Sequence, residues 1–516
     1  MVSEEALPDD IENYKNLNKR MNWKSIQNDS NTKPVPEWTG PLPKPDSILK
    51  PIDYYRRFID QELLEMICTE SNRYARQSAG NYELDLNVKE LEKFIGIAMY
   101  MSLVKLRRTR QYWSPETEVS AITECMGSKR WETIKRFLHF NDNEKASKKG
   151  EPGYDKIYKI RPFIEYLNKK FNQIPMSENL CIDEQMVPYT GKRGPRYYIK
   201  GKPNPWGFKV WALCCAYGIL YNCEVCIGPT PKQEDFFDCK STGNTVCKLG
   251  TLIPVDKSHK LYMDNLFSSI PLFLQFLQRG IYCMGTVSLN RFPKIKTCMI
   301  TDKYLKAKGK SSFAEYEGTI KDKEGEVKET VGSVRVIRWN DNNTCTLMSS
   351  MGSAYPIAQV KRWDKTEGKK TEVSCPGLVK YYNTNMGGVD KIDSLIALYR
   401  IFLRSRKWFH RLFFHFIDVC VSNAWQIYKR DHTAATDEGK VLPLYEFKMD
   451  LSHCLREQNS PIKRAVGRPT REEPKTQRGQ HKKRKLLPDP VIQDQVGHSP
   501  VCLPNRGKCR KDTCSS

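Results

Sequence analysis

Four aspartates stand where an apolar segment ends or a helix begins: Asp183 in CIDEQ, Asp264 in LYMDN, and the pair Asp390 and Asp393 in GGVDKID. Carboxylates from separate elements are the ligands that hard divalent ions such as Mg²⁺ require. Two such ions about 3.5–4 Å apart stabilise the charge on a phosphodiester, activate a hydroxyl nucleophile and support the leaving alkoxide. With 60 Asp+Glu in the chain, placement alone leaves solvated loop carboxylates and helix caps as the competing explanation. Alternation along a strand sends Glu184 to the face opposite Asp183, so Glu184 stays outside the expected ligand set.

The elements that must position these acids follow from periodicity. Three strand-like segments lie near 180–188, 206–216 and 219–227, the last two joined at Tyr217 and Gly218. Residues 229–250 read as a polar loop. A strand over 260–264 is followed by a helix capped by Ser268 or Ser269, with Pro271 in its first turn, and by a strand over 281–287. This β-β-β, connection, β-α-β order predicts an α/β fold. Upstream, residues 52–178 have helical periodicity and read as an all-α domain. Residues 288–380 interrupt the α/β pattern with alternating segments around the turn at 340–343, and read as an inserted β-rich module. In Met386 to Arg400, Val389, Ile392, Ile396 and Tyr399 form an apolar stripe, while Asp390 and Asp393 share another face. A further apolar helix is expected from about Trp408 to Tyr428. Residues 1–51 read as a mobile, proline-punctuated leader without a core, and residues 456–516 as a basic tail.

Composition narrows the partner. The 84 Lys+Arg against 60 Asp+Glu leave a formal charge of +24, which favours a polyanion whose counterions are released on binding. No apolar run approaches the roughly 20 residues of a spanning helix, and the first residues have neither the basic nor the apolar part of a signal peptide. A soluble intracellular protein with reduced thiols is expected, most of its 18 cysteines lying in apolar runs.

The stretches DEQMVPYTGKRG (183–194), IKGKPNPWGFKVW (199–211), YMDNLFSSI (262–270) and YYNTNMGGVDKID (381–393) resemble the transposase domain of the piggyBac transposable element-derived family. FIGIAMYMSL (94–103), YWSP (112–115), RWETIKRFLHFND (130–142) and KIRP (159–162) extend the resemblance in consistent order over about 52–430. The resemblance implies an RNase H-like core split between 179–287 and 381–455 by the insertion, after a helical dimerisation and DNA-binding domain over 52–178. It further implies a DDE/D transposase that cuts and rejoins double-stranded DNA at TTAA with Mg²⁺ or Mn²⁺, as a homodimer. Asp183, Asp264 and Asp390 take the positions of the catalytic and metal-binding triad, and Asp393 that of the fourth aspartate.

Arg404, Arg406, Lys407, Trp408 and Arg411 follow the acidic helix and are the candidate DNA contacts, the cations for phosphates and Trp408 for an unpaired base. Trp408 reads equally well as the first core residue of the next helix. The run HKKRK (481–485) suits nuclear import. His498, Cys502, Cys509 and Cys514 contain no CysXXCys pair, so an unmetallated remnant is expected there in place of the family's zinc module, with a mononuclear His/Cys₃ site as the alternative. Three functions remain open at this point: a transposase, a domesticated DNA-binding protein derived from one, and a metal nuclease of the same fold.

Overall fold

The computed structural model describes residues 21–26, 34–80, 82–291, 293–320, 333–364, 367–435 and 440–457. The chain divides into a unit spanning Met1–Ser460 and a second spanning Pro461–Ser516. The second lies outside the described residues, and with it HKKRK, His498, Cys502, Cys509 and Cys514.

Residues 51–171 supply helices α1 (Pro51–Arg56), α2 (Gln61–Ser78), α3 (Val88–Leu103), α4 (Ser120–Thr123), α5 (Ser128–Phe137) and α6 (Arg161–Phe171). Local chemistry sets where the longer ones start. Asp60 Oδ1 accepts the Leu63 N–H, and Asn87 Oδ1 accepts the Glu90 N–H, satisfying donors the helices cannot. The helix α3 buries Leu91, Phe94, Ile95, Ile97, Ala98 and Met99, more than one stripe, which marks it as an interior helix.

A ten-stranded mixed sheet makes up the other layer, so the α/β class is observed. Its strands are β1 (Met21–Ile26), β2 (Asn179–Pro188), β3 (Tyr197–Tyr198), β4 (Trp206–Cys215), β5 (Leu220–Val225), β6 (Lys260–Met263), β7 (Tyr282–Thr286), β8 (Phe313–Ile320), β9 (Ser333–Asn340) and β10 (Thr344–Ser349). Their order is β1-β8-β9-β10-β7-β6-β2-β4, with β3 and β5 each paired to β4. The pairs β2–β6 and β6–β7 are parallel and the remainder antiparallel. β11 (Ile357–Asp364) and β12 (Lys369–Pro376) form a separate two-stranded sheet.

Three local expectations are corrected. The leader is not without structure: Met21–Ile26 alternates its side chains as the edge strand β1 on β8, and Met21 is 1% exposed. The strands of the insertion do not stand apart either. β10 pairs with β7, Leu347 opposite Thr286, so β8–β10 continue the main sheet and cover an edge that would otherwise be open. Within the segment read as a polar loop, Lys240–Gly250 is a helix, α7, placed before α8 (Ile270–Gln278). Its polar residues are satisfied internally: Asn244 Oδ1 accepts the Cys239 N–H and Thr245 Oγ1 pairs with Thr230 Oγ1. That bonding conceals the helix from a hydropathy pattern.

Two short helices, α9 (Pro293–Cys298) and α10 (Asp302–Ala307), precede β8. After β12 come α11 (Gly377–Asn385), α12 (Gly388–Leu398), α13 (Trp408–Ala434) and α14 (Leu444–Glu457). The 27-residue α13 is buried on nearly every side. Phe409 and Phe413 pack on Phe140, and Phe414 on Phe94 of α3; Asn423 bonds both the N–H and C=O of Leu220 in β5. The helical region therefore shares its core with the C-terminal helices. No helix among the described residues is long and apolar enough to cross a membrane.

One buried ion pair locks this arrangement. Lys448 Nζ lies 2.7 Å from Asp418 Oδ1, the two side chains 3% and 2% exposed, and Nζ also donates to the Tyr399 carbonyl. Asp418 Oδ2 accepts the Ile401 N–H, so the pair pins the chain leaving α12. Burial pushes the carboxyl up and the ammonium down, each toward its neutral form. The pair itself adds little stability, but stranding one charge is costly. Lys448→Met is expected to lower unfolding stability by about 3–5 kcal/mol, and Asp418→Leu with Lys448→Met to recover most of it in urea titrations. A neutral single variant would contradict the assignment.

Candidate active site

Sheet register brings the first two acids together. The parallel pair β2–β6 runs from Asn179 opposite Lys260 to Ile182 opposite Met263, and the next residue on each strand is Asp183 and Asp264. Side chains in register share a face, so both carboxylates emerge where the parallel pairing of β2 and β6 ends, Asp183 midway along β2 and Asp264 just past the end of β6. The turn after β6 is fixed by Asp264 itself. Its Oδ1 accepts the Leu266 N–H at 2.7 Å and its carbonyl accepts the Ser268 hydroxyl at 2.9 Å. Ser269 occupies the cap position of α8 without a side-chain cap bond, so Ser268 serves the acid turn and does not cap the helix.

Glu184 joins this group, contrary to the strand-face expectation. Asp183, Glu184 and Asp264 each offer a carboxylate oxygen within 4.8 Å of the others. Alternation fixes where Cβ begins and not where a long side chain ends; beyond Ile182 the β6 pairing stops and Glu184 reaches round the strand. Its Oε1 is 3.4 Å from Lys202 Nζ, while Oε2 is buried without a hydrogen-bond partner. An orphaned buried carboxylate oxygen in a cluster of hard oxygen donors fits a divalent cation.

The electrostatics show what the cluster demands. Burial, joined by the charges of Glu184 and Asp264, pushes the Asp183 carboxyl up to about 7, against the Glu184 N–H bond and Lys202. Burial alone would lower the Lys202 ammonium, yet Glu184, Asp183 and Asp390 hold it above its ordinary value. Lys202 thus offsets these acids from within the chain.

Helix α12 approaches β2 and β4 because Gly388 lacks a side chain. A Cβ there would stand 2.2 Å from the Cys215 carbonyl and 2.6 Å from Cys181 Sγ. Asp390, in the first turn, is exposed and lies in the field of Lys202. Asp393 accepts a 2.7 Å bond from Gln185 Nε2, and Gln185 Oε1 lies 2.9 Å from His415 Nε2 of α13. Burial keeps His415 far below its ordinary value, hence neutral, and pushes Asp393 up to about 6. Asp390 and Asp393 lie beside, and not within, the group formed by Asp183, Glu184 and Asp264.

The basic candidates divide. Arg404 and Arg406 are exposed. Lys407 is half-buried over the Tyr74 ring and donates to the Arg136 carbonyl, and its burial beside Lys159 and Arg136 lowers it to about 8. Trp408 packs on Phe208 and over Gly194, whose positive φ and missing Cβ make the room. Arg411 donates to the Pro188 and Ile401 carbonyls, and burial lowers it to about 10. The exposed aromatic of this segment is Phe402, which the sequence reading does not single out.

A carboxyl raised in the folded state costs stability once it ionises. For Asp183 that cost is absent below the ordinary value of 3.8 and is fully incurred above about 7. In chelator, the thermal midpoint is expected to fall from pH 5 to pH 8, the fall to be smaller for Asp183→Asn, and Mn²⁺ to restore it at pH 8. A midpoint independent of pH and of metal would contradict this.

Comparison with known proteins agrees with the geometry. A family model described as Transposase IS4 matches residues 50–425. Human piggyBac transposable element-derived protein 3 is 30% identical over 403 residues, covering 77% of this chain and 63% of that protein. Human piggyBac transposable element-derived protein 2 is 28% identical over 402 residues, covering 76% and 64%. The match therefore spans just under two thirds of the length of either relative. A cryo-EM structure of a piggyBac transposase synaptic complex with hairpin DNA shares the fold, with a TM-score of 0.63 at 18% identity over 80% of this chain and 81% of that one. From residue 50 to residue 425, sequence and fold agree, and the chain belongs to the piggyBac transposase family.

Proposed function

We propose that this protein is a DDE/D transposase of the piggyBac type, cleaving and transferring DNA strands at TTAA targets with Mg²⁺ or Mn²⁺. The observation that carries the reading is the meeting of Asp183 and Asp264, with Glu184, where the parallel pairing of β2 and β6 ends. The strand order β5-β4-β2-β6-β7, with the first three antiparallel and the last three parallel, supports an RNase H-like core bearing its first acid on the central strand.

Asp183 and Asp264 would hold the metal with Asp390, Glu184 adding the unassigned oxygen. Bound there, a divalent ion supplies charge stabilisation at the scissile phosphate and acidifies the attacking hydroxyl. The chain's own residues do the remainder. The bond from Gln185 and the neutral His415 fix the Asp393 carboxylate, Lys202 limits repulsion among the acids, and Arg404 and Arg406 present exposed cations to phosphates. A double-stranded DNA substrate supports a nuclear location, and the family relationship supports a homodimer.

The test incubates the purified protein with Mg²⁺ or Mn²⁺ and a DNA end flanked by TTAA. Nicking is expected, and Asp264→Ala is expected to reduce it by more than about a hundredfold. Equal nicking by the variant, or none by the wild type, would overturn the catalytic reading. Salt-sensitive binding without nicking would leave a DNA-binding protein derived from a transposase.

A further inference from the structure

The segment between α12 and α13 carries a feature the acid site does not use. Phe402 is 75% exposed, the most exposed large apolar side chain among the described residues. It is not held loosely. Ile401, next to it, is buried and bonded through its N–H to Asp418 and through its carbonyl to Arg411. On the other side, the Ser405 hydroxyl bonds His410 Nδ1 and accepts the Lys407 N–H. The fold therefore presents an aromatic face to solvent from a fixed backbone.

Two clefts of about 700 and 420 Å³ meet at this ring and share Phe402 and Arg404 in their walls. The larger is lined by Lys105, Arg107, Arg108, Arg400 and Arg404, and neither cleft has a carboxylate in its wall. Two donors have no partner: Arg400 Nε, from the larger cleft, and Arg411 Nη2, from the smaller, are both buried without a hydrogen bond. The Arg411 guanidinium also lies 5.1 Å from the centroid of the Phe402 ring. Arg400 is near enough to Asp393 for its charge to lower that carboxyl, so the clefts adjoin the acid-bearing helix.

Orphaned guanidinium donors call for an anion, and an exposed aromatic face calls for a flat partner. A paired duplex offers phosphates but keeps its base faces stacked, so it satisfies the first demand and not the second. An unpaired nucleotide satisfies both, and clefts of this size accommodate one. Resting on the DNA reading above, we infer that the Phe402 cleft is a binding pocket for an unpaired nucleotide of a DNA strand. The Phe402 ring stacks on the base, and Arg400, Arg404 and Arg411 hold the flanking phosphates. Because every base has a π-face, the pocket accepts any base.

The probe is a duplex bearing one extrahelical 2-aminopurine, compared at equal salt with the same duplex fully paired. The wild type is expected to bind the extrahelical probe about tenfold more tightly and to quench its fluorescence. Phe402→Ala should lose the preference and the quenching while binding paired duplex within about twofold of wild type, and Phe402→Trp should retain both. Equal preference in wild type and Phe402→Ala, or no preference in the wild type, would overturn the pocket while leaving duplex binding intact. A Phe402→Ala variant altered only in oligomeric state would overturn it in favour of a subunit contact. Absence of salt-sensitive binding to either probe would instead overturn the DNA reading itself.

Discussion

Repulsion among carboxylates is the constraint around which this structure is arranged. Two unit charges within 4.8 Å of each other repel by about 3 kcal/mol or more at an effective dielectric constant of about 20, and Asp183, Glu184 and Asp264 form three pairs within that distance. Nothing in folding alone rewards that placement. It is tolerated because the parallel register of β2 and β6 leaves Asp183 and Asp264 nowhere else to go, because Asp183 is held toward its protonated form, and because Lys202 stands 3.4 Å from Glu184. Each of these compensations is partial. A divalent cation would complete them, which is why the electrostatics and the proposed chemistry point the same way.

The remaining positions are set from beneath by α13. This helix lies in the interior, buried along most of its length, and several of its buried polar groups position other elements. His415 supports Gln185 and through it Asp393; Asp418 pairs with Lys448 and holds Ile401; Asn423 closes the edge of β5. One rigid element thus orients both the fourth acid and the backbone from which Phe402 and the arginines project. Site and cleft share a foundation even though their side chains come from different parts of the chain.

How much of this is legible in the sequence depends on the range of the determining interaction. Asp183 and Asp264 are legible because each follows a short apolar run, and most strands of 180–287 and the helix after Asp264 follow from local periodicity and turn chemistry. Glu184 is not, because its placement depends on where a neighbouring strand stops pairing. The continuation of the sheet through β10 and β7, and the recruitment of Met21–Ile26 to β8, are long-range pairings with no local signature. Helix α7 is hidden for another reason: its buried face mixes Val246, Cys247 and Leu249 with Asn244 and Thr245, which bond to Cys239 and Thr230. Phe402 reads as one more apolar residue in a hydrophobic stretch; only the anchoring of Ile401 turns it outward.

The claim that these acids form a metal centre is tested most directly by Mn²⁺ binding to the DNA-free protein at pH 8, followed by electron paramagnetic resonance. Wild-type protein should bind Mn²⁺ saturably, and Asp183→Asn and Glu184→Gln should each weaken that binding by at least about tenfold while remaining folded. Undiminished binding in both variants, or no saturable binding in the wild type, would contradict the account.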